Sequence, residues 1–266
     1  MATDRYHRQT QFPDWGEHGQ ARLRQAKVVQ VGCGGLGSML AQAMVRAGVG
    51  ELTIIDQDVV DISNLHRQFL FDEKDALEKA HKALVAEKRL RKVNAEVRIT
   101  GIAEKFSAAN AHTLLSGYDL VLDGTDNMES RYAINDWCVR NNVPWIYGGV
   151  IGSTGMVMPV LPGKGPCLRC LYPEAELSDK NIPSADEAGT ISTIPAFIAL
   201  LQVTEAIKLL IRSPDLIQAL IVVDIWTGAY HQVSVEKDMQ CRCCGKHVAS
   251  FPRSAQNVAA RMNLCV

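Results

Sequence analysis

The sequence lacks several features that would assign a function class at once. The first twelve residues, MATDRYHRQTQF, contain no apolar core, so no signal peptide is expected. No uncharged stretch has the continuity of a membrane span. Residues 141–163 hold five glycines and three prolines, which would break a membrane helix. Residues 189–204 are too short to cross and include a proline and several polar residues. Neither sign of charge is in excess: 28 Lys and Arg face 29 Asp and Glu, for a formal net charge of −1. That balance gives no reason to expect nucleic acid or an anionic membrane as the main partner. There is no internal repeat, no low-complexity block and no evident Ser–His constellation.

A length of 266 residues suits one large domain, or one domain with a lobe. Eight cysteines stand at 33, 138, 167, 170, 241, 243, 244 and 265. Secreted disulfide scaffolds are usually shorter and lack so large a core. The cysteines therefore point to a reducing compartment, the cytoplasm, and to metal binding.

The first half alternates strand-like and helix-like segments. KVVQVG (27–32), ELTIID (51–56), EVRITGIAEK (96–105), YDLVLDGTDN (118–127) and PWIYGGV (144–150) predict strands. Residues 35–47, 82–94 and 130–142 predict helices between them. This alternation implies an α/β, doubly wound, Rossmann-like and mostly parallel sheet. In the second half GSTGMVMPVLPG predicts a strand with turns, and residues 165–190 are loop-rich. Residues 191–211 predict a long apolar helix in the core or at a subunit contact. Residues 219–237 predict paired, antiparallel strands. The nucleotide-binding half is placed at about 1–150, a second half at about 151–247, and a tail at 248–266.

VGCGGLG (31–37) places Gly32, Gly34 and Gly37 at G-x-G-x-x-G spacing between a strand and a helix. The glycines allow a tight turn, close backbone approach to phosphate and close helix–strand packing. The helix N-terminus offers unpaired N–H groups to an anion. Asp56 follows Gly37 by 19 residues and ends the second strand, where an acid can bind ribose hydroxyls. The competing reading is a glycine turn that only packs.

In DQDVVDISNLHRQF (56–69) the cluster Asn64, Arg67 and Gln68 suits a triphosphate better than a nicotinamide cofactor. Arg offers a planar fork of donors and Lys a point charge, which Lys82 could supply. Any one of these cations alone would read as a solvated surface charge. Asp126 ends a predicted strand and could hold Mg²⁺, or it could be the N-cap of the next helix. Cys167 with Cys170 and Cys241 with Cys244 each make C-x-x-C. Four thiolates in two such pairs suit a tetrahedral structural zinc, against a redox dithiol or free buried thiols. Cys243 is ambiguous, and pairing Cys241 with Cys244 leaves it out. His231 and His247 are expected at the surface or in packing.

RYHRQ (5–9), GCGGLGS (32–38), DQDVVDISNLHRQ (56–68), Lys82, DGTDN (123–127), the two cysteine pairs and LQVTEAIKLL (201–210) occur in one order. Over about residues 5–247 the chain resembles the ubiquitin-activating-enzyme-like family, in its compact MoeB, ThiF and HesA form. The resemblance implies a single adenylation domain over 1–247. Its expected reaction uses Mg-ATP to adenylate the C-terminal Gly-Gly carboxylate of a small ubiquitin-like sulfur carrier, releasing pyrophosphate. It also implies a homodimer and a structural zinc. By motif, Gly32, Gly34, Gly35 and Gly37 would hold the nucleotide and Asp56 its ribose. Asn64, Arg67, Gln68 and Lys82 would surround the phosphates, Asp126 would hold Mg²⁺ and Asn127 would join the cofactor-binding set, with Arg67, Lys82, Asp126 and Arg8 as the catalytic residues. Arg8 would reach ATP from the partner subunit. A carboxylate nucleophile is already ionised at neutral pH, so the chemistry needs charge stabilisation rather than a general base.

Two departures shape the expectation. Ala185, in PSADEAGTIS, stands where many relatives carry a cysteine, which excludes a thioester or persulfide at that position. The 266 residues leave no room for the rhodanese domain of some larger relatives, so sulfur is expected from a separate donor protein. The alternatives are adenylation of a peptide or a modified tRNA base, a non-catalytic ATP- and zinc-binding scaffold, and an NAD(P) oxidoreductase. The carrier's pathway, whether thiamine, molybdopterin, cysteine or tRNA thiolation, is left open.

Overall fold

The computed structural model describes residues 5–173 and 189–246. The predicted tail at 248–266, with Cys265, lies outside them, as do His247 and Ala185.

Two short helices, α1 (His7–Thr10) and α2 (Gly16–Leu23), lead into β1 (Lys27–Val31). Then come α3 (Gly35–Ala47), β2 (Glu51–Ile55), α4 (Glu73–Leu77), α5 (Lys82–Val93) and β3 (Arg98–Ile102). The chain returns through α6 (Ala111–Leu115), β4 (Leu120–Asp123), α7 (Met128–Asn141) and β5 (Trp145–Ile151). The second half holds β6 (Thr154–Val160), α8 (Leu168–Leu171), α9 (Ile194–Ile211), β7 (Leu220–Asp224) and β8 (Ala229–Val233).

These strands form one eight-stranded sheet in the order β3-β2-β1-β4-β5-β6-β7-β8. β3 through β5 are parallel, and β6, β7 and β8 pair antiparallel. The predicted architecture is therefore present, and a single sheet joins the two halves. Strand order reverses between β1 and β4. In open α/β sheets the crevice beyond the strand ends at such a point is where ligands bind.

The buried strands are apolar on both faces because helices cover both. α3, α5 and α9 pack on one face with Val28, Leu52, Leu122 and Ile146. α6 and α7 lie on the other face, against Val29, Val121 and Trp145. α9 has the length and composition of a membrane span, yet 61% of it is buried. It sits against α3, β5 and β6, so its apolar surface serves the core. α3 stops at Gly48, whose φ of +87° makes the left-handed cap that ends many helices.

α1, α2, α4 and α6 carry no strong periodic pattern and are additions to the predicted elements. The loop-rich reading of 165–190 gives way to a helical turn at α8, and residues 174–188 lie outside the described set.

The glycine loop makes the fold testable. A Cβ on Gly37 would lie 2.1 Å from the Gly32 carbonyl oxygen, whereas one on Gly165 would meet nothing within 4 Å. Gly37→Ala is expected to cost about 1–3 kcal/mol, an overpacking penalty without room to relax. Gly165→Ala is expected to leave the melting temperature unchanged. Equal melting temperatures for the two variants would refute the close packing.

Candidate nucleotide and metal sites

The crevice at the reversal is built from backbone. Gly32 leaves β1 with φ +89°. A Cβ there would come within 2.4 Å of the Gly124 carbonyl oxygen, and one on Gly124 within 2.6 Å of the Gly32 carbonyl oxygen. Gly32, Gly37 and Gly124 therefore interlock the ends of β1 and β4 with the first turn of α3. Gly34 caps α3 with no side-chain hydrogen bond, and among the described residues no side chain accepts from the first-turn N–H groups at the crevice. Gly35 has Pro195 and the Arg67 side chain beside its Cα.

Gln30 holds this loop from below and was not among the expected residues. Its Nε2 donates to the carbonyls of Gly32 at 2.8 Å and Gly37 at 2.9 Å. The signal was a fully buried amide within the apolar strand KVVQV.

Asp56 closes the loop from β2. Its carboxylate accepts the Cys33 N–H at 2.6 Å and the Asp58 N–H at 2.7 Å. Burial pushes its carboxyl above the usual range, while those two N–H donors and Lys82 pull it down. Lys82 is 5% exposed, so the surface-charge reading of this lysine is wrong. It starts α5, its backbone N–H donates to the Asp58 carbonyl at 2.9 Å, and its Nζ sits 3.1 Å from the Asp58 carboxylate.

The loop after β2 lays Arg67 and Gln68 against the glycines. Arg67 Cδ is 3.7 Å from a Cβ built on Gly35, and Gln68 Nε2 is 3.6 Å from one built on Gly34. Arg67 Nη1 donates to the Ser63 carbonyl at 3.3 Å. Gln68 is buried, and its Oε1 has no hydrogen-bond partner among the described residues. Asn64, in a 3-10 turn capped by Asp61, donates to Ser63 Oγ at 3.3 Å.

Asp126 and Asn127 divide roles that the sequence left open. Asn127 is the N-cap of α7, accepting the Ser130 N–H at 2.9 Å. Asp126 is therefore not the cap. It is exposed beside the crevice and accepts the Asn127 side-chain amide at 3.3 Å. Arg8 is exposed on α1, and its neighbour Gln9 donates to the Ala47 carbonyl at the last residue of α3. The glycine loop lies at the other end of this 13-residue helix, about 20 Å away at 1.5 Å per residue. The structure does not bring Arg8 to the loop of its own chain.

The second constellation forms as expected. The sulfurs of Cys167, Cys170, Cys241 and Cys244 all lie within 4.8 Å of one another. Cys167 and Cys241 are 3.7 Å apart, and Cys170 and Cys244 3.4 Å apart. A tetrahedron with zinc–sulfur bonds of about 2.3 Å has edges of roughly 3.8 Å, so this cluster could hold zinc. α7 supports it: Asn135 Oδ1 accepts the Leu168 N–H at 2.9 Å, and Arg169 pairs with Asp136 at 2.7 Å. Cys243 is buried outside the tetrad and accepts the Asn135 amide at 3.3 Å. Cys33 and Cys138 are also buried, and burial pushes both thiols up. His231 is exposed on β8.

Fold and site together give a doubly wound α/β protein with a glycine-built crevice at its switch point and four clustered cysteines. The ThiF family profile matches residues 6–243, and the chain belongs to the ThiF family. It is 39% identical to the sulfur carrier protein adenylyltransferase of Thermus thermophilus, over 91% of this chain and 90% of that protein. It is 38% identical to the sulfur carrier protein ThiS adenylyltransferase of Bacillus subtilis, over 99% of this chain and 77% of the relative. A crystal structure of Escherichia coli MccB with ATP superposes with a TM-score of 0.78 at 26% identity. That match covers 91% of this chain and 75% of MccB. The chain is an enzyme of the nucleotidyltransferase type, as its relatives' name of adenylyltransferase indicates.

The cysteine tetrad predicts a metal measurement. Cys170→Ala is expected to abolish the one-to-one zinc content of the purified protein and to lower its melting temperature. Cys243→Ala is expected to keep the zinc. Equal zinc content in both variants and the parent would remove the tetrad assignment.

Proposed function

We propose that this enzyme uses ATP to adenylate the C-terminal carboxylate of a small ubiquitin-like sulfur carrier ending in Gly-Gly. The observation that carries the reading is the clustering of Asp56, Arg67, Gln68 and Lys82 around the glycine loop at the switch point. The two relatives named for sulfur carrier adenylylation support the choice of substrate.

The carrier carboxylate attacks the α-phosphorus of ATP. The bond from that phosphorus to the bridging oxygen of the β-phosphate breaks, and pyrophosphate leaves with the electron pair. The obstacle is the approach of one anion to another. The α3 N–H groups receive phosphate oxygens, and Arg67 and Lys82 add positive charge as charge shifts toward the leaving group. Lys82 suits this role because it is buried and already aimed at the loop by Asp58. Asp56 holds the Cys33 N–H and keeps acceptor capacity for ribose hydroxyls. Asn64 and the buried Gln68, which lies against Gly34, provide uncharged donors.

Asp126 would hold Mg²⁺, and its exposed carboxylate next to Gly124 fits a hard cation that keeps most of its waters. The metal would neutralise charge on the phosphates. The cysteine tetrad would hold structural zinc. Arg8, remote from its own loop, would serve a second copy in a homodimer. The continuous sheet supports reading 1–247 as one adenylation domain. Cytoplasmic thiols stay reduced, which suits a four-thiolate zinc site, and sulfur would come from a separate donor protein.

ATP–pyrophosphate exchange with purified protein and candidate carriers tests the reading. Exchange is expected only with a carrier ending in Gly-Gly. Its absence with every carrier, from protein that binds ATP, would point to a different carboxylate. Asp126→Ala is expected to abolish exchange with the fold intact, because Asn127 supplies the α7 cap. Normal exchange in that variant would remove the magnesium role.

A further inference from the structure

Behind Asp126 lies a buried polar network that the proposed reaction does not use. Asp123, the last residue of β4, is fully buried, and its carboxylate faces Arg131 Nε at 3.3 Å. It also accepts the Thr125 N–H at 2.9 Å and the Thr125 hydroxyl at 2.6 Å. Arg131, on α7, extends Nη2 to the carbonyls of Thr125 at 2.8 Å and Gly148 at 3.2 Å. Its guanidinium lies 5.5 Å from the centre of the Tyr147 ring. From the opposite side of the sheet, Gln202 of α9 donates to the carbonyls of Asp123 at 2.9 Å and Ile146 at 3.2 Å. Gln202 is fully buried and belongs to the LQVTEAIKLL segment of α9.

The network converges on one segment. Asp123 and Thr125 are each held through backbone and side-chain atoms, and Gly124 is packed on Gly32. Asp126 comes next; among the described residues its carboxylate accepts the Asn127 side-chain amide and lies within the field of the Arg131 charge. Burying an ion pair costs several kcal/mol of desolvation per charge, so such a pair is weak support for stability alone. Its geometric effect is to tie the ends of the 123–125 segment to α7 by directed hydrogen bonds. Burial raises the Asp123 carboxyl against the pull of Arg131 and Thr125.

We infer that Arg131 and Gln202 are positioning residues for the magnesium carboxylate, acting through Asp123 and Thr125 to fix where Asp126 stands. This rests on the reading of Asp126 as a Mg²⁺ ligand. Partners behind a metal ligand commonly change metal affinity about 10–100-fold when lost, without touching the ion. Gln202 further ties the loop to α9, the long helix of the second half.

The test uses Arg131→Lys, which keeps a positive charge against Asp123 but loses the fork to Thr125 and Gly148. Gln202→Met is the second variant; it removes the amide at similar volume without changing charge. ATP binding is measured by calorimetry across a Mg²⁺ titration and again with EDTA, alongside the Mg²⁺ dependence of ATP–pyrophosphate exchange. Both variants are expected to raise the half-saturating Mg²⁺ about 10-fold, with ATP affinity in EDTA unchanged. Unchanged Mg²⁺ dependence in both variants would overturn the inference alone, as would equal weakening of ATP binding with and without Mg²⁺, which marks general loosening. A parent protein whose ATP binding ignores Mg²⁺ would overturn the Asp126 reading and this inference with it.

Discussion

The absence of side chains at Gly32, Gly37 and Gly124 is the constraint on which the site depends. β1 and β4 are neighbours in the sheet, and the order reverses between them. Their ends and the start of α3 meet at distances where any Cβ would overlap a carbonyl. That closeness leaves the first-turn N–H groups of α3 at the crevice and brings the β4 segment carrying Asp126 beside the glycine loop. A larger residue at any of the three would push the strand ends apart and spoil both features together.

Charge is placed around this backbone frame with each burial compensated. Lys82 is almost wholly enclosed and meets Asp58, with Asp56 nearby. Asp123 is fully enclosed and meets Arg131 and the two Thr125 donors. A buried charge without a partner would neutralise or unfold its surroundings. The pairs oppose the burial that pushes the Asp56 and Asp123 carboxyls up. They also fix orientation, since a pair held by several directed hydrogen bonds has few alternative geometries.

The cysteine tetrad solves a different problem. Residues 167–170 and 241–244 are far apart in sequence, and the second segment follows the edge strand β8. β8 is largely exposed and contributes little to the core. The supports from α7, through Asn135 and Asp136, bind the first pair to the face of the sheet opposite α9. A metal at the tetrad would extend that attachment to the end of the described chain.

Much of this was legible in sequence because the signals are local. Apolar strands bounded by glycine, the spacing of VGCGGLG, the acid at Asp56, the crowded DISNLHRQ loop and two C-x-x-C pairs each depend on few neighbours. Their order along the chain carried the family and the α/β class. Tertiary structure alone decided what depended on partners distant in sequence. It made Lys82 a buried cation, since only the fold brings Asp58 over the start of α5. It gave the α7 cap to Asn127 and left Asp126 exposed beside it. It revealed Gln30, Arg131 and Gln202, whose value lies in hydrogen bonds to carbonyls that no motif spacing records. It also placed Arg8 a helix length from its own glycine loop, because α1 docks at the far end of α3. Local patterning determined which elements form and what chemistry they carry, and long-range packing determined which of those groups meet.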